Sequence, residues 1–206
     1  MIQWSDPIER QAATVIRHPD GEKTTERLLE MAGLAENARI LDIGAGTGDT
    51  VRLLKKRGLD AEGVDLVPGR DVVFGDMRML PFPDGVFDAV IAECSLSVCG
   101  NTEIALREAK RVLKSDGRLL IGDVYGRDLR TAPRLSLPRR ATRAGWRLTA
   151  EGFRLLSWED ITPVWTEYLI HALFAGEDLG DCGFFSRRGG KRTGYFLSVW
   201  KRRRRT

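Results

Sequence analysis

The residues best suited to chemistry lie in Leu41-Asp42-Ile43-Gly44-Ala45-Gly46-Thr47-Gly48-Asp49. Gly44, Gly46 and Gly48 fall at every second position, so the backbone can bend sharply and approach a ligand with no Cβ in the way. The apolar run Ala38-Arg39-Ile40 leads into the turn, and Thr50 to Arg57 follows it. The Val51/Leu54 spacing and the closing Gly58 predict a short helix, which makes the whole a strand, a glycine turn and a helix. A helix starting near Gly48 points unpaired N–H groups and its positive dipole end at the turn, which suits a carboxylate or phosphate. Leu59 to Asp65 then reads as a second short strand ending on an acid. A carboxylate about twenty residues after a glycine loop can accept from both hydroxyls of a ribose. Each such bond to a charged group is worth about 1.5–3 kcal/mol.

The glycine spacing separates two ligands. A dinucleotide fingerprint is G-x-G-x-x-G, whereas this turn is G-x-G-x-G with Asp42 two places before Gly44. It resembles the first motif of class I S-adenosylmethionine-dependent methyltransferases. The resemblance continues through Val72-Val73-Phe74-Gly75-Asp76-Met77, Leu80 to Val90 and Arg111 to Leu120, which look like type 11 members of that family. It covers residues 38 to 125 well and the remainder loosely.

The resemblance implies S-adenosylmethionine as cofactor and transfer of its methyl group to a small-molecule acceptor. It also implies the contact residues. Gly44, Ala45, Gly46, Thr47 and Gly48 take the methionine end, Asp65 the ribose and Asp76 the adenine amino group, with Asp42 and Met77 also among the cofactor-binding residues. No metal is expected. The fold implied is α/β and Rossmann-like, a seven-stranded, mostly parallel sheet with an antiparallel last strand and helices on both faces.

One departure from the family stands out. Only Leu66 to Arg70 separate Asp65 from Asp71, whereas a parallel crossover normally takes a dozen or more residues. Five extended residues span at most about 17 Å, so the third strand must be short and one sheet face less covered there. Leu66 and Val67 are then the candidates for packing on the adenine.

Val86 to Ala92 is the nearly continuous apolar run that a central parallel strand requires. It ends on Glu93-Cys94-Ser95-Leu96-Ser97, at the strand end that faces ligands in open α/β sheets. Glu93 can hold the cofactor's amino group or act as a base, or be a solvated carboxylate. No Asn/Asp-Pro-Pro-Tyr signature occurs here, which argues against methylation of nucleic-acid bases. Cys94, beside a core strand, reads most simply as a small buried apolar residue. Some arsenite methyltransferases hold the metalloid with several cysteines, but Cys94, Cys99 and Cys182 lack their spacing.

Ahead of the first strand, Pro7 to Arg17 reads as a helix, and Thr24 or Thr25 as the cap of a second helix ended by Gly33. Residues 1–37 are expected to form a helical lid on the cofactor cleft. His18, in the break between the two helices, can serve as a general base there. A loop histidine favoured by a helix C-terminus is the simpler reading.

Asn101 or Thr102 caps a helix through Leu113, and Arg118 to Val124 is the fifth strand, with Tyr125 at the cleft. Residues 127–150 form a basic insertion with seven arginines and one acid between Arg127 and Arg147. Gly152 to Asp160 is a sixth strand, a helix follows around Trp165 to Phe174 with a structural His171, and Thr193 to Trp200 is the last strand.

A chain of 206 residues with 42% apolar and 30% charged residues is expected to be one soluble domain, 1–206, with no membrane span. Its start lacks a secretion signal and its three cysteines form no C-x-x-C pair, so the cytoplasm is expected. The net charge of +4 reports an end rather than a face, because nine cations and no acid follow Ser186. The basic tail 201–206 can touch nucleic acid, although a solvated end is the simpler reading. Two other functions compete with methyl transfer. One is a non-catalytic S-adenosylmethionine-binding or RNA-contacting module; the other is an NAD(P)-dependent oxidoreductase, against which the glycine spacing counts.

Overall fold

The structure is a computed structural model that describes residues 19–126, 137–138, 149, 151–176 and 193–203. Its centre is a sheet of β1 (Arg39–Ile43), β2 (Asp60–Asp65), β3 (Val72–Phe74), β4 (Phe87–Glu93), β5 (Leu113–Gly126), β6 (Leu137–Pro138), β7 (Phe153–Asp160) and β8 (Thr193–Arg202). The strands lie in the order β3-β2-β1-β4-β5-β8-β7, with the two-residue β6 pairing β5 off that path. Pairing is parallel from β3 through β5, and β8 runs antiparallel to both β5 and β7. The seven-stranded plan with an antiparallel last strand is therefore present, and β6 is an addition to it.

Side chains on a strand alternate between faces, and the core divides accordingly. Leu41, Ile43, Val90, Ala92, Leu119 and Ile121 pack under α3 (Thr102–Val112) through Ala105, Leu106, Ala109 and Val112. Ile40, Ala89, Ile91, Leu120 and Val199 pack under three helices on the other face. These are α1 (Glu22–Ala32), α2 (Asp49–Lys56) and α4 (Thr162–Phe174), which contribute Leu28, Val51, Leu54 and Trp165. β4, covered on both faces, is apolar from Ala89 to Ala92 with no exposure at any of the four.

The short link after β2 has the consequence its length dictates. β3 has three residues, and with no crossover helix over it Val73 is 48% and Phe74 70% exposed. The link folds onto the glycine turn, where the Gly69 N–H donates to the Gly46 carbonyl at 2.9 Å. A Cβ on Gly69 would lie 2.6 Å from the Thr47 Cα, so the approach needs glycine.

Three sequence-based expectations are corrected. Thr24 and Thr25 do not cap α1, which begins at Glu22 after Gly21, and both hydroxyls lie inside the first turns. Their side chains serve other partners: Thr24 bonds the Pro19 carbonyl and Thr25 the Glu93 carboxylate. The supposed tail begins inside the sheet, since Lys201 and Arg202 belong to β8 and Lys201 pairs with Asp116 at 3.1 Å. The fifth strand starts at Leu113 rather than Arg118, with a register shift between Phe87 and Ala89 where Asp116 takes a positive φ of 71°. The Gly33 and Asn101 caps form as read: Gly33 is left-handed, and Asn101 Oδ1 accepts from the Ile104 N–H at 3.2 Å.

Arg111 fastens the proline-rich link before β4 to α3. Its Nη1 donates to the Phe82 carbonyl at 2.7 Å and to Asp84 at 2.8 Å, and its Nη2 to the Leu80 carbonyl at 2.9 Å and to Glu108 at 2.8 Å. Arg111→Met is expected to lower the free energy of unfolding by about 2 kcal/mol, since two carbonyls and two carboxylates lose a charged donor. Urea unfolding measures it, and a midpoint equal to wild type would show that water replaces the guanidinium.

Candidate functional site

The ends of β1, β2 and β4 meet at the glycine turn. Gly44 and Ala45 both donate to the Val64 carbonyl, at 2.8 and 3.1 Å, which lays the turn across the end of β2. Gly44, Gly46 and Gly48 have φ of 79°, 50° and 79°, a region that penalises any side chain. A Cβ on Gly44 would meet Ser95 Cβ at 2.4 Å and Met77 Cε at 3.1 Å, so three loops converge on that residue. Ser95 is held there by its hydroxyl on the Ile43 carbonyl at 2.8 Å. Gly46 differs: a Cβ there meets nothing within 4 Å.

Asp65, at the end of β2, accepts from the Gly46 N–H through Oδ2 at 2.9 Å and from the Val67 N–H through Oδ1 at 2.8 Å. A carboxylate has about four lone-pair sites, so two backbone donors leave room for two ribose hydroxyls. Asp65 thus sets the shape of the turn besides facing it. Leu66, next along, is 55% exposed.

Two further carboxylates stand beside the turn. Asp42 is 3% and Glu93 8% exposed. Glu93 Oε2 accepts from the Thr25 hydroxyl at 2.8 Å and the Thr50 hydroxyl at 3.3 Å, linking β4 to α1 and to the first turn of α2. Burial, followed by the charges of Glu93 and Asp65, pushes the Asp42 carboxyl well above its ordinary range. Burial likewise pushes Asp123 up to about 6, against N–H donors from Ser97 and Val124.

These shifts carry a sign. A carboxyl raised in the folded state contributes stability that is complete below its ordinary value of 3.8 and is lost as pH rises through the folded value. Asp76 and Glu108 are shifted down, chiefly by side-chain bonds from Arg78 and Arg111, and stay charged at pH 5. The cofactor-free protein is therefore expected to melt at a higher temperature at pH 5 than at pH 7. Asp42→Asn is expected to raise the pH 7 midpoint by removing a buried charge among like charges. Thermal midpoints at the two pH values decide, and a wild-type midpoint that falls on acidification sinks the account.

Asp76 follows β3 in a tight turn bridged to Met79. Its carboxylate is gripped by Arg78, whose Nε lies 3.0 Å from both oxygens and whose Nη2 lies 2.6 Å from Oδ2. Arg78 also lies 3.6 Å from where a Cβ of Gly100 would stand, which brings this turn against the loop after β4.

Cys94 has a φ of 50°, and its Sγ lies 3.2 Å from the Tyr195 hydroxyl. Cys99 donates to the Leu96 carbonyl at 3.2 Å, and burial pushes its thiol up. Tyr125 is buried with its hydroxyl on Asp160, and its ring meets Trp158 and Phe196 edge to face. His171 is exposed on α4, 3.9 Å from Glu167. His18 and Cys182 lie outside the described residues, as does most of the basic insertion. Among the described residues no group of three histidine, cysteine or acidic side chains is placed to hold a metal. No helix among them is long and apolar enough to cross a membrane.

Thr25, Thr50 and Arg78 belong to this site and are not legible as such in the sequence, and Ser95, read only as part of the ligand-facing strand end, proves to hold the turn. For Thr25 a signal exists. Threonine is a poor helix-interior residue, and one placed there invites the question of what its hydroxyl bonds.

Residues 41–121 match the family described as a methyltransferase domain. The chain is 28% identical over 188 residues to a demethylmenaquinone methyltransferase of Tropheryma whipplei, across 84% of this chain and 72% of that one. The Thermus thermophilus enzyme of the same name is 38% identical over 112 residues, 46% of this chain and 51% of that one. This chain thus spans about half the length of the Thermus relative, and the same holds for a Thermotoga maritima relative. Among solved structures, the [4+2]-cyclase SpnF matches with a TM-score of 0.71 at 23% identity, across 95% of this chain and 91% of that one. Geranyl diphosphate C-methyltransferase from Streptomyces coelicolor, solved with S-adenosylhomocysteine, matches with a TM-score of 0.70 at 19% identity, across 88% and 79%.

The residues present fit the cofactor such a domain uses. The space above Gly46 is open to a ligand backbone, and the turn is flanked by Asp42, Asp65 and Glu93, which favour a ligand with cationic groups over a second anion. S-adenosylmethionine carries an ammonium, a sulfonium and a ribose diol, which match those carboxylates. Residues 41–121 thus carry the match to a methyltransferase domain, the family that the glycine turn resembles.

Proposed function

We propose that the chain transfers a methyl group from S-adenosylmethionine to a small-molecule acceptor. The observation that carries this reading is the convergence of Asp65, the open Gly46 and the buried Glu93 at the carboxyl ends of β1, β2 and β4. When bound, the cofactor supplies a methyl group already activated on a sulfonium.

The chain's own contribution is alignment in a site that excludes water. Asp65 accepts from the ribose hydroxyls, the methionine end lies over the open side of the turn at Gly46, and Glu93 holds the ammonium. Leu66 and Met77 flank the adenine, and Asp76 accepts from its amino group while Arg78 keeps the carboxylate in place. Glu93 suits a binding role better than that of a general base, because Thr25 and Thr50 both place hydroxyls on its Oε2. His18 remains the candidate base for an acceptor that must lose a proton.

Several relatives are named as methyltransferases of quinone precursors, so quinol-like aromatic rings head the acceptor screen, followed by thiols, small amines and carboxylates. The test is radiolabelled methyl transfer from S-adenosylmethionine to this panel, beside calorimetric titration with S-adenosylhomocysteine and NADH. Transfer to one acceptor class supports the reading. Binding of NADH alone overturns it, and S-adenosylhomocysteine binding without transfer to any acceptor favours a non-catalytic module.

A further inference from the structure

We infer that Thr25 is a positioning residue for the amino-acid end of the cofactor, acting through Glu93; this rests on the cofactor assignment above. Thr25 has no solvent exposure, sits in the second turn of α1 and donates to Glu93 Oε2 at 2.8 Å across 68 residues of sequence. Glu93 also receives the Thr50 hydroxyl at 3.3 Å. Thr50 is the second residue of α2, the helix that begins at Gly48, so Glu93 lies within one side chain of the glycine turn. Two hydroxyls on one oxygen, one from α1 and one from α2, fix the rotation of the carboxylate about its stem.

The placement has a physical motive. Glu93 and Asp42 are both buried, burial and the Glu93 charge raise the cost of ionising Asp42, and a cation brought beside them lowers it. A carboxylate free to rotate would spread its charge over several positions, whereas one held by Thr25 presents it in one place. Thr25 resides on an element that precedes the glycine motif and lies outside the span matched by the methyltransferase family. The chain thereby ties the packing of α1 on the sheet to the charge that meets the ammonium. α1 is seated independently of this bond, through Leu28 and Ala32 against Leu120, Val124 and Leu197.

The experiment titrates wild type, Thr25→Val and Thr25→Ser with S-adenosylhomocysteine and with 5′-methylthioadenosine, which keeps the nucleoside but lacks the ammonium and carboxylate. Thr25→Val is expected to weaken S-adenosylhomocysteine about tenfold, the size of one hydrogen bond to a charged group, and to leave methylthioadenosine within twofold. Thr25→Ser, which keeps the hydroxyl, is expected to recover most of the loss. Equal weakening of both ligands would mean that Thr25 only supports the packing of α1, and undiminished S-adenosylhomocysteine binding by Thr25→Val would mean that Glu93 holds itself; either result overturns the inference. Failure of wild type to bind S-adenosylhomocysteine would instead overturn the cofactor reading on which it rests. Methylthioadenosine binding by the valine variant doubles as the check that the variant is folded.

Discussion

Asp65→Ala is expected to weaken S-adenosylhomocysteine by at least about a hundredfold while leaving the fold intact. Two hydrogen bonds from ribose hydroxyls to a charged group contribute about 3 kcal/mol or more together, and a factor of ten corresponds to about 1.4 kcal/mol. The carboxylate has a second task, because its two oxygens hold the Gly46 and Val67 N–H groups. Removing it therefore loosens the glycine turn as well as the ribose contact, and both changes act in the same direction. The Val67 N–H is exposed and the Gly46 N–H only partly buried, so water can replace the carboxylate and the stability loss stays small. Asp65→Asn keeps one acceptor oxygen and is expected to fall between wild type and alanine. Calorimetric titration of the three proteins checks the order. An alanine variant that binds within threefold of wild type would place the nucleoside elsewhere and remove the main support for the site.

How much of this could be read from the chain depends on whether a residue's task is local. The strand-turn-helix around Gly44 is local, since glycine spacing, a helix start and an acid about twenty residues on are all consequences of short-range geometry, and each is found as read. The shortness of β3 follows from chain reach alone, and the three-residue strand with Phe74 exposed is what five linking residues permit. Thr25 fails the same approach. Its sequence surroundings look like a helix cap, whereas its partner lies 68 residues away on β4, a fact that only the packing of α1 on the sheet creates. Arg78 is similar. Asp76, two residues before it, is expected from the family resemblance to accept from the adenine, but the Arg78 grip on its carboxylate depends on the turn closed by Met79. Lys201 and Arg202 read as a charged end because composition is blind to register, and the antiparallel ladder of β8 carries them into the sheet.

The glycines of the turn offer a test in which two sites one residue apart, both glycine and both at positive φ, have different consequences. Gly44→Ala is expected to cost about 3 kcal/mol of stability or more, from about 1–2 kcal/mol for a left-handed alanine and about 1–3 kcal/mol for overpacking. The overpacking arises because the new methyl would lie 2.4 Å from Ser95 Cβ, and Ser95 is tethered to the Ile43 carbonyl and cannot retreat cheaply. Gly46→Ala meets no atom within 4 Å, so only the backbone cost of about 1–2 kcal/mol remains and the protein stays folded. Its methyl instead stands in the space assigned to the cofactor, so binding of S-adenosylhomocysteine is expected to fall by more than the stability does. Denaturant unfolding and calorimetry on the two variants separate the effects. Gly44→Ala should unfold at a clearly lower denaturant concentration than wild type, and Gly46→Ala should lose binding with a smaller loss of stability. If Gly46→Ala binds like wild type, the open volume over the turn is not where the ligand lies. If Gly44→Ala is as stable as wild type, Ser95 yields, and the convergence of the β1, β3 and β4 loops on this one residue is softer than its distances imply.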